Sequence, residues 1–145
     1  VSVGKLRTDG YIKALLDNNL PFDEHLIIKI EDIDTCEIII GKLLEDEAID
    51  AVFAVNEIFA VTCIKTANKI GLNVPKDLAV IAFTDGMISK YSTPTITTVS
   101  QSGVKMGNRA AKIIIDRLES EDESEEENYI TEVIETYLGE RESTG

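Results

Sequence analysis

Three polar pairs punctuate the apolar runs of this sequence: Glu31-Asp32, Asn56-Glu57 and Thr84-Asp85. Each follows a stretch that reads as a buried strand, over residues 26–30, 51–55 and 78–83. In an open parallel sheet, ligands bind at the carboxyl ends of the strands, so the three pairs should converge on one rim. Carboxylates, amides and hydroxyls placed there can engage several ligand hydroxyls at once. Specificity follows because a ligand lacking one of those groups leaves a buried polar partner unpaired. Arg7, just ahead of the first helical pattern, adds a rigid fan of donors. The same loops also call for Asp, Asn and Thr as helix caps and turn formers. From the residues alone, each of these side chains is either a ligand contact or a cap.

Other chemistries find little to build on. The only histidine, His25, lies beside a strand start and reads as a surface residue. Thr84-Asp85-Gly86 lacks both the glycine spacing and the lysine of a phosphate loop. Neither paired histidines nor clustered cysteines suggest a zinc site, and no cofactor or enzymatic activity is expected. Cys36 and Cys63 both sit in apolar-periodic segments and read as buried free thiols of a cytosolic protein.

At 145 residues the chain suits one domain with its own core, and its 43% hydrophobic and 28% charged content is ordinary for a globular protein. The net charge is −13, and residues 119–127 hold seven acids and no base, the pattern of a solvated loop. So acidic a chain does not supply the cationic surface that nucleic-acid binding needs. No apolar run approaches the roughly 20 residues that span a bilayer, and no signal-peptide pattern opens the chain, so a cytoplasmic location away from membranes is expected.

The elements that must position the polar pairs alternate along the chain. Asp9 is a candidate cap for a helix carrying Tyr11, Ile12, Leu15 and Leu16, ended by Asn18-Asn19 and Pro21. After the 26–30 strand, Asp34 and Glu37 are spaced as a capping box for a helix that turns Cys36, Ile39, Ile40, Leu43 and Leu44 inward. The 51–55 strand leads to a helix over 58–70, with Ile58, Val61, Ala67 and Ile70 as inward candidates. Gly71 suits the left-handed position that ends it, and Pro75 with Lys76-Asp77 completes a turn into the 78–83 strand. A short strand over 97–99, a helix over 104–118 and a strand over 130–138 follow. This alternation predicts an α/β fold, a doubly wound, Rossmann-like parallel sheet.

The stretch from Gly71 through Val74-Pro75 and Asp77 to Phe83, Thr84 and Asp85 resembles the effector-binding domain of the lactose-repressor/galactose-repressor family of bacterial transcription regulators. Ala51-Val52-Phe53-Ala54-Val55-Asn56-Glu57, Pro94 through Gln101 with Met106-Gly107, Arg7-Thr8-Asp9-Gly10-Tyr11 and Arg141-Glu142-Ser143 extend the likeness, in order, over nearly the whole chain. The resemblance implies one lobe of a periplasmic-binding-protein-like fold, with the first lobe and an N-terminal helix-turn-helix lying outside this sequence. Residues 1–100 then form most of the second lobe, and 101–119 the helix that returns to the first. Residues 120–128 become an acidic loop, and 129–145 a final strand and tail.

It also implies a small polar effector, with sugars foremost, a homodimer, and DNA contact only through the helix-turn-helix. By position, Arg7 and Asn56 match effector-contacting residues, and Glu57 stands where the family usually has Asp. At the strand tip the family commonly shows Gly-Phe-Asp, whereas this chain has Ala82-Phe83-Thr84 with the carboxylate one place later, at Asp85. Either Thr84 or Asp85 is therefore a candidate contact, beside Asp32. Ile58, Val61, Tyr91 and Ile114 are candidates for a subunit interface. The competing reading is a periplasmic sugar-binding protein of a transport system. The Val74-Pro75-Lys76-Asp77 turn and the crossover through Gln101 favour the regulator. The 104–118 helix, with Val104, Ala111, Ile114 and Leu118 in one stripe widened by Ile113 and Ile115, needs a first lobe, a partner chain or its own sheet to cover it.

Overall fold

Four strands build one sheet in the order β1-β2-β3-β4, comprising Ala51–Ala54, Ala79–Phe83, Thr97–Ser100 and Tyr137–Gly139. The first three are parallel, with Ala54 level with Ala82 and Phe83 level with Val99. The fourth closes the edge antiparallel, Leu138 opposite Val99. This computed structural model describes residues 3–46, 49–120 and 129–145. Its helices are α1 (Val3–Asp17), α2 (Ile33–Asp46), α3 (Glu57–Lys69), the one-turn α4 (Met87–Tyr91) and α5 (Gly103–Glu119).

Side-chain periodicity places the core between α3 and one face of β1 and β2. Helix α3 buries Ala60, Cys63, Ile64 and Ala67, spaced at three and four residues, against the inward set Ala54, Val80 and Ala82. Helix α2 covers the outer flank of α3 with Cys36, Ile40 and Leu44, each four residues apart. Leu78 and Ile96, fully buried, plug the entrance to β2 and β3. Each such side chain contributes on the order of 1.5–3 kcal/mol by leaving water. Both cysteines are free and wholly inside this core. Burial, together with the neighbouring Cys36 sulfur, pushes the Cys63 thiol up to about 12.

The turn between α3 and β2 explains the glycine-to-aspartate motif. Gly71 takes φ 88°, and Leu72 N–H returns to Ala67 O at 2.9 Å, closing the last turn of the helix. Asp77 then accepts both the backbone N–H and the side-chain amide of Asn73, each at 2.8 Å. Those two bonds hold its carboxyl below the usual range.

Several expected elements take other forms. Helix α1 starts at Val3 instead of behind Asp9, because Val3 and Leu6 continue its helical spacing upstream. Residues 26–30 join no ladder among the described residues; a 3₁₀ turn at Glu24–Leu26, capped by Asp23, occupies the start of that stretch. Asp32, not Asp34, caps α2, its carboxylate accepting Asp34 N–H at 3.0 Å. Glu37 is drawn across to Lys65 and Lys69 on α3 instead of back to the cap. On α3 the buried face is rotated, so Ile58 and Ile70 lie exposed and Val61 half-buried. The last strand shrinks to Tyr137–Gly139. Glu132 and the Glu135 carbonyl, upstream of it, are held instead by Arg109 and Ser102 of the α5 region. Of the acidic stretch, residues 121–128 lie outside the described residues.

The C-terminal turn Glu142–Thr144 is stitched into the sheet. The fully buried Ser143 hydroxyl donates to Val80 O and accepts Thr97 N–H at 2.9 Å, spanning β2 and β3 where β3 begins. Its partners have no alternative there, so Ser143→Ala should destabilise the fold by about 1–3 kcal/mol in urea unfolding. A change indistinguishable from zero would show that water replaces the hydroxyl.

Candidate functional site

The carboxyl rim of the parallel strands gathers Arg7, Asn56 and Thr84. One guanidinium nitrogen of Arg7, Nη1, donates to Val55 O at 2.6 Å, and the guanidinium Cζ lies 4.2 Å from the centroid of the Phe83 ring. Phe83 in turn packs on Phe53 at 5.8 Å between centroids. Alternation along β1 and β2 puts these rings on the face opposite the α3 core, so α1 reaches the sheet from the other side. The β1–β2 ladder ends at Ala54–Ala82, and Asn56 and Thr84 each lie two residues beyond it.

Asn56 is a helix cap whose amide group is only half used. Its Oδ1 accepts Phe59 N–H at 3.0 Å at the head of α3, while its NH₂ makes no hydrogen bond among the described residues. Thr84 has φ 78°, a left-handed conformation unusual for a β-branched residue. Its N–H bonds Val99 O at 3.0 Å, and its side chain is exposed beyond the end of β2. Backbone strain of this kind is worth on the order of 1–3 kcal/mol and concentrates at ligand clamps.

The carboxylates, by contrast, are committed to structure. Glu57 Oε1 accepts the Gly86 and Ser89 N–H groups at 2.7 and 2.9 Å and the Ser89 hydroxyl at 2.5 Å, fixing α4 against α3. A Cβ on Gly86 would fall inside that carboxylate, which explains the glycine. Asp85 Oδ1 takes Arg141 Nη2 at 2.6 Å and the Thr98 hydroxyl at 3.3 Å, while Oδ2 faces Lys90 at 3.5 Å. Arg141 Nη1 also donates to Ile96 O at 2.7 Å and Thr98 Oγ1 at 3.0 Å. Asp32 heads α2 and bonds none of the rim residues. Among the described residues, no group of His, Cys, Asp or Glu is placed to hold a metal ion.

Of the interface candidates, Ile58 and Tyr91 are exposed and Val61 half-buried, all on the adjoining α3 and α4. Ile114 is exposed on α5, a separate surface. The aromatic pair under Arg7 and the reach of Arg141 were not anticipated. Phe53 and Phe83 carried one signal, their place on the same parity of adjacent strands. Arg141 carried only its place in a family motif.

A mostly parallel sheet with polar residues at its carboxyl rim fits a periplasmic-binding-protein-like lobe, and residues 1–144 match the family model described as a periplasmic binding protein-like domain. The chain belongs to that family, and within it to the effector-binding domains of lactose-repressor/galactose-repressor regulators. It is 39% identical over 132 residues to the HTH-type transcriptional regulator MalR of Clostridium butyricum, covering 89% of this chain and 39% of the relative. With the regulator CelR of Thermobifida fusca it shares 30% identity over 142 residues, covering 97% and 41%. Among solved structures, a CelR–cellobiose complex superposes with TM-score 0.81 at 29% identity, over 94% of this chain and 41% of that one. The transcription regulator CcpA of Lactococcus lactis gives 0.80 at 26%, over 96% and 50%. The chain thus spans about two fifths of the length of the curated relatives it matches.

The Asp85 pair makes stability depend on pH. Desolvation alone would raise its carboxyl, but the Arg141 bond and charge, Lys90 and Thr98 outweigh it and hold the group below the usual carboxylate range. A depressed native value stabilises the fold fully above the unfolded pKa of about 3.9, and that gain is lost as pH falls through the native value. The stability difference between wild type and Asp85→Asn should therefore be constant at neutral pH and shrink below about pH 4. A difference that grows on acidification would contradict the ion pair.

Proposed function

We propose that this chain is the second, effector-sensing lobe of a cytoplasmic bacterial transcription regulator that binds a small polar effector, a sugar or sugar derivative, between two lobes. The observation that carries the reading is the convergence of Arg7, Asn56 and Thr84 on one rim of a family fold, with donors unspent. DNA contact then falls to a helix-turn-helix outside these residues, in keeping with the net charge of −13. Effector closure of the lobes would shift the protein between two states. The curated relatives named above are regulators, so a transport protein has less behind it.

The uncovered helices support a missing lobe. Neither α1 nor α5 buries a single residue, and Val104 and Leu118 stand 82% and 79% exposed. The accessible surface is 10414 Å², against about 7,400 Å² expected for a compact monomer of this mass. In this reading α5 does not fold back on its own sheet; it belongs against the first lobe. The apolar strip of Ile58, Val61, Met87 and Tyr91 across α3 and α4 is the surface on which a second copy would pack. Ile114 is assigned to the lobe contact instead.

Calorimetry with cellobiose and related sugars on the full-length protein tests the site. Arg7→Ala or Asn56→Ala should weaken effector binding by about 1–3 kcal/mol through polar groups left unpaired. Wild-type affinity in both variants would remove the rim from the account. For assembly, Val61→Glu should convert a dimer to a monomer by light scattering, because it buries a charge without a partner. A dimer that persists would place the interface elsewhere.

A further inference from the structure

Resting on that sensing reading, the free polar groups of the rim say what kind of effector it takes. Arg7 makes one hydrogen bond, to Val55 O, and no ion pair with a carboxylate among the described residues. A half-buried guanidinium without a counter-charge, set over an aromatic ring, is an anchor for an anion. The nearby acids bond other groups, Glu57 through Oε1 and Asp32 through Oδ1 alone. Asp85 is bound by Arg141, Thr98 and Lys90, Glu57 by Gly86 and Ser89, and Asp32 by the head of α2.

The unspent capacity of Arg7 and Asn56 is donor. Asn56 has given its oxygen to Phe59 N–H and keeps two amide protons. Thr84 presents a hydroxyl where an Asp would present an acceptor-only carboxylate. A neutral polyol also needs acceptors for its own hydroxyl protons, which neither the Arg7 guanidinium nor the Asn56 NH₂ supplies. A phosphate or carboxylate needs donors alone. A carboxylate at position 84 would repel such a group, and threonine does not.

We infer that the effector carries an anionic group, a phosphate or carboxylate on a sugar-like body, seated against the Arg7 guanidinium, the Asn56 amide and the Thr84 hydroxyl. The residue that sets this preference is Thr84. Its left-handed backbone, φ 78°, turns the tip of β2, two residues beyond the β1–β2 ladder as Asn56 is.

The test is calorimetry on the full-length protein with inorganic phosphate, glucose 6-phosphate, gluconate, glucose and cellobiose as probes. Arg7→Gln and Thr84→Asp are measured alongside, with thermal unfolding to confirm that both fold. Saturable phosphate binding, weakened at least about tenfold in each variant, is the expected result, the size of one lost charge-assisted bond. The glucose 6-phosphate and gluconate arms then separate phosphate from carboxylate. Phosphate bound equally by wild type and both variants would be an adventitious ion only and would overturn the inference. So would the absence of saturable binding by phosphate, glucose 6-phosphate and gluconate alike. In that case, binding of glucose or cellobiose would leave the sensing reading standing, whereas silence from every probe would contradict both.

Discussion

One guanidinium ties the functional end of this sheet to the end of the chain. Arg141 reaches from the C-terminal turn along β3, bonding Ile96 O and Thr98 Oγ1, and closes on Asp85 beyond the tip of β2. With side chains only 22% and 12% exposed, the pair is shielded from the screening that makes surface ion pairs nearly worthless. Arg141 Nη1 is also bonded to Ile96 O and Thr98 Oγ1, and Asp85 Oδ2 faces Lys90, added contacts of the kind a desolvated pair needs. Ser143, two residues on, locks the same turn between β2 and β3. The loop that carries Thr84 is therefore braced from behind by residues far away in sequence.

That bracing decides which polar residues are left for a ligand. Glu57 and Asp85, the acids of the rim, hold α4 and the β2 tip in place. Arg7, Asn56 and Thr84 are only partly engaged by hydrogen bonds among the described residues. A strained threonine backbone persists there because the neighbouring residue cannot move without breaking the Arg141 contacts. Rigid support behind and unspent donors in front are what a recognition site requires.

The buried strands were legible because continuous apolar runs bounded by polar tips leave few alternatives. Ala51–Ala54 and Ala79–Phe83 lie within the runs read as strands, and the Gly71 and Asp77 turn follows from local chemistry alone. Caps were legible only to within two residues: Asp32 and Asp34 compete for the head of α2, and sequence spacing favours the wrong one. Residues 26–30 have the composition of a strand, but a strand also needs a hydrogen-bonded neighbour, which no local pattern reveals. The division of the acids between structure and recognition was equally hidden. Asp85 meets Arg141 across 56 residues, and Glu57 meets Ser89 across 32. Asn56 shows that cap and contact need not exclude each other, since one end of its amide serves the helix and the other is free.

In the proposed function the carboxyl rim, and not another surface of this lobe, receives the effector. A crystal structure of the full-length protein with a bound effector tests it most directly. The account predicts the ligand between two lobes, within hydrogen-bond distance of Arg7 and Asn56 and touching Thr84, with the Asp85–Arg141 pair intact behind it. A ligand seated elsewhere, or one that draws Asp85 away from Arg141 to reach it, would contradict the account.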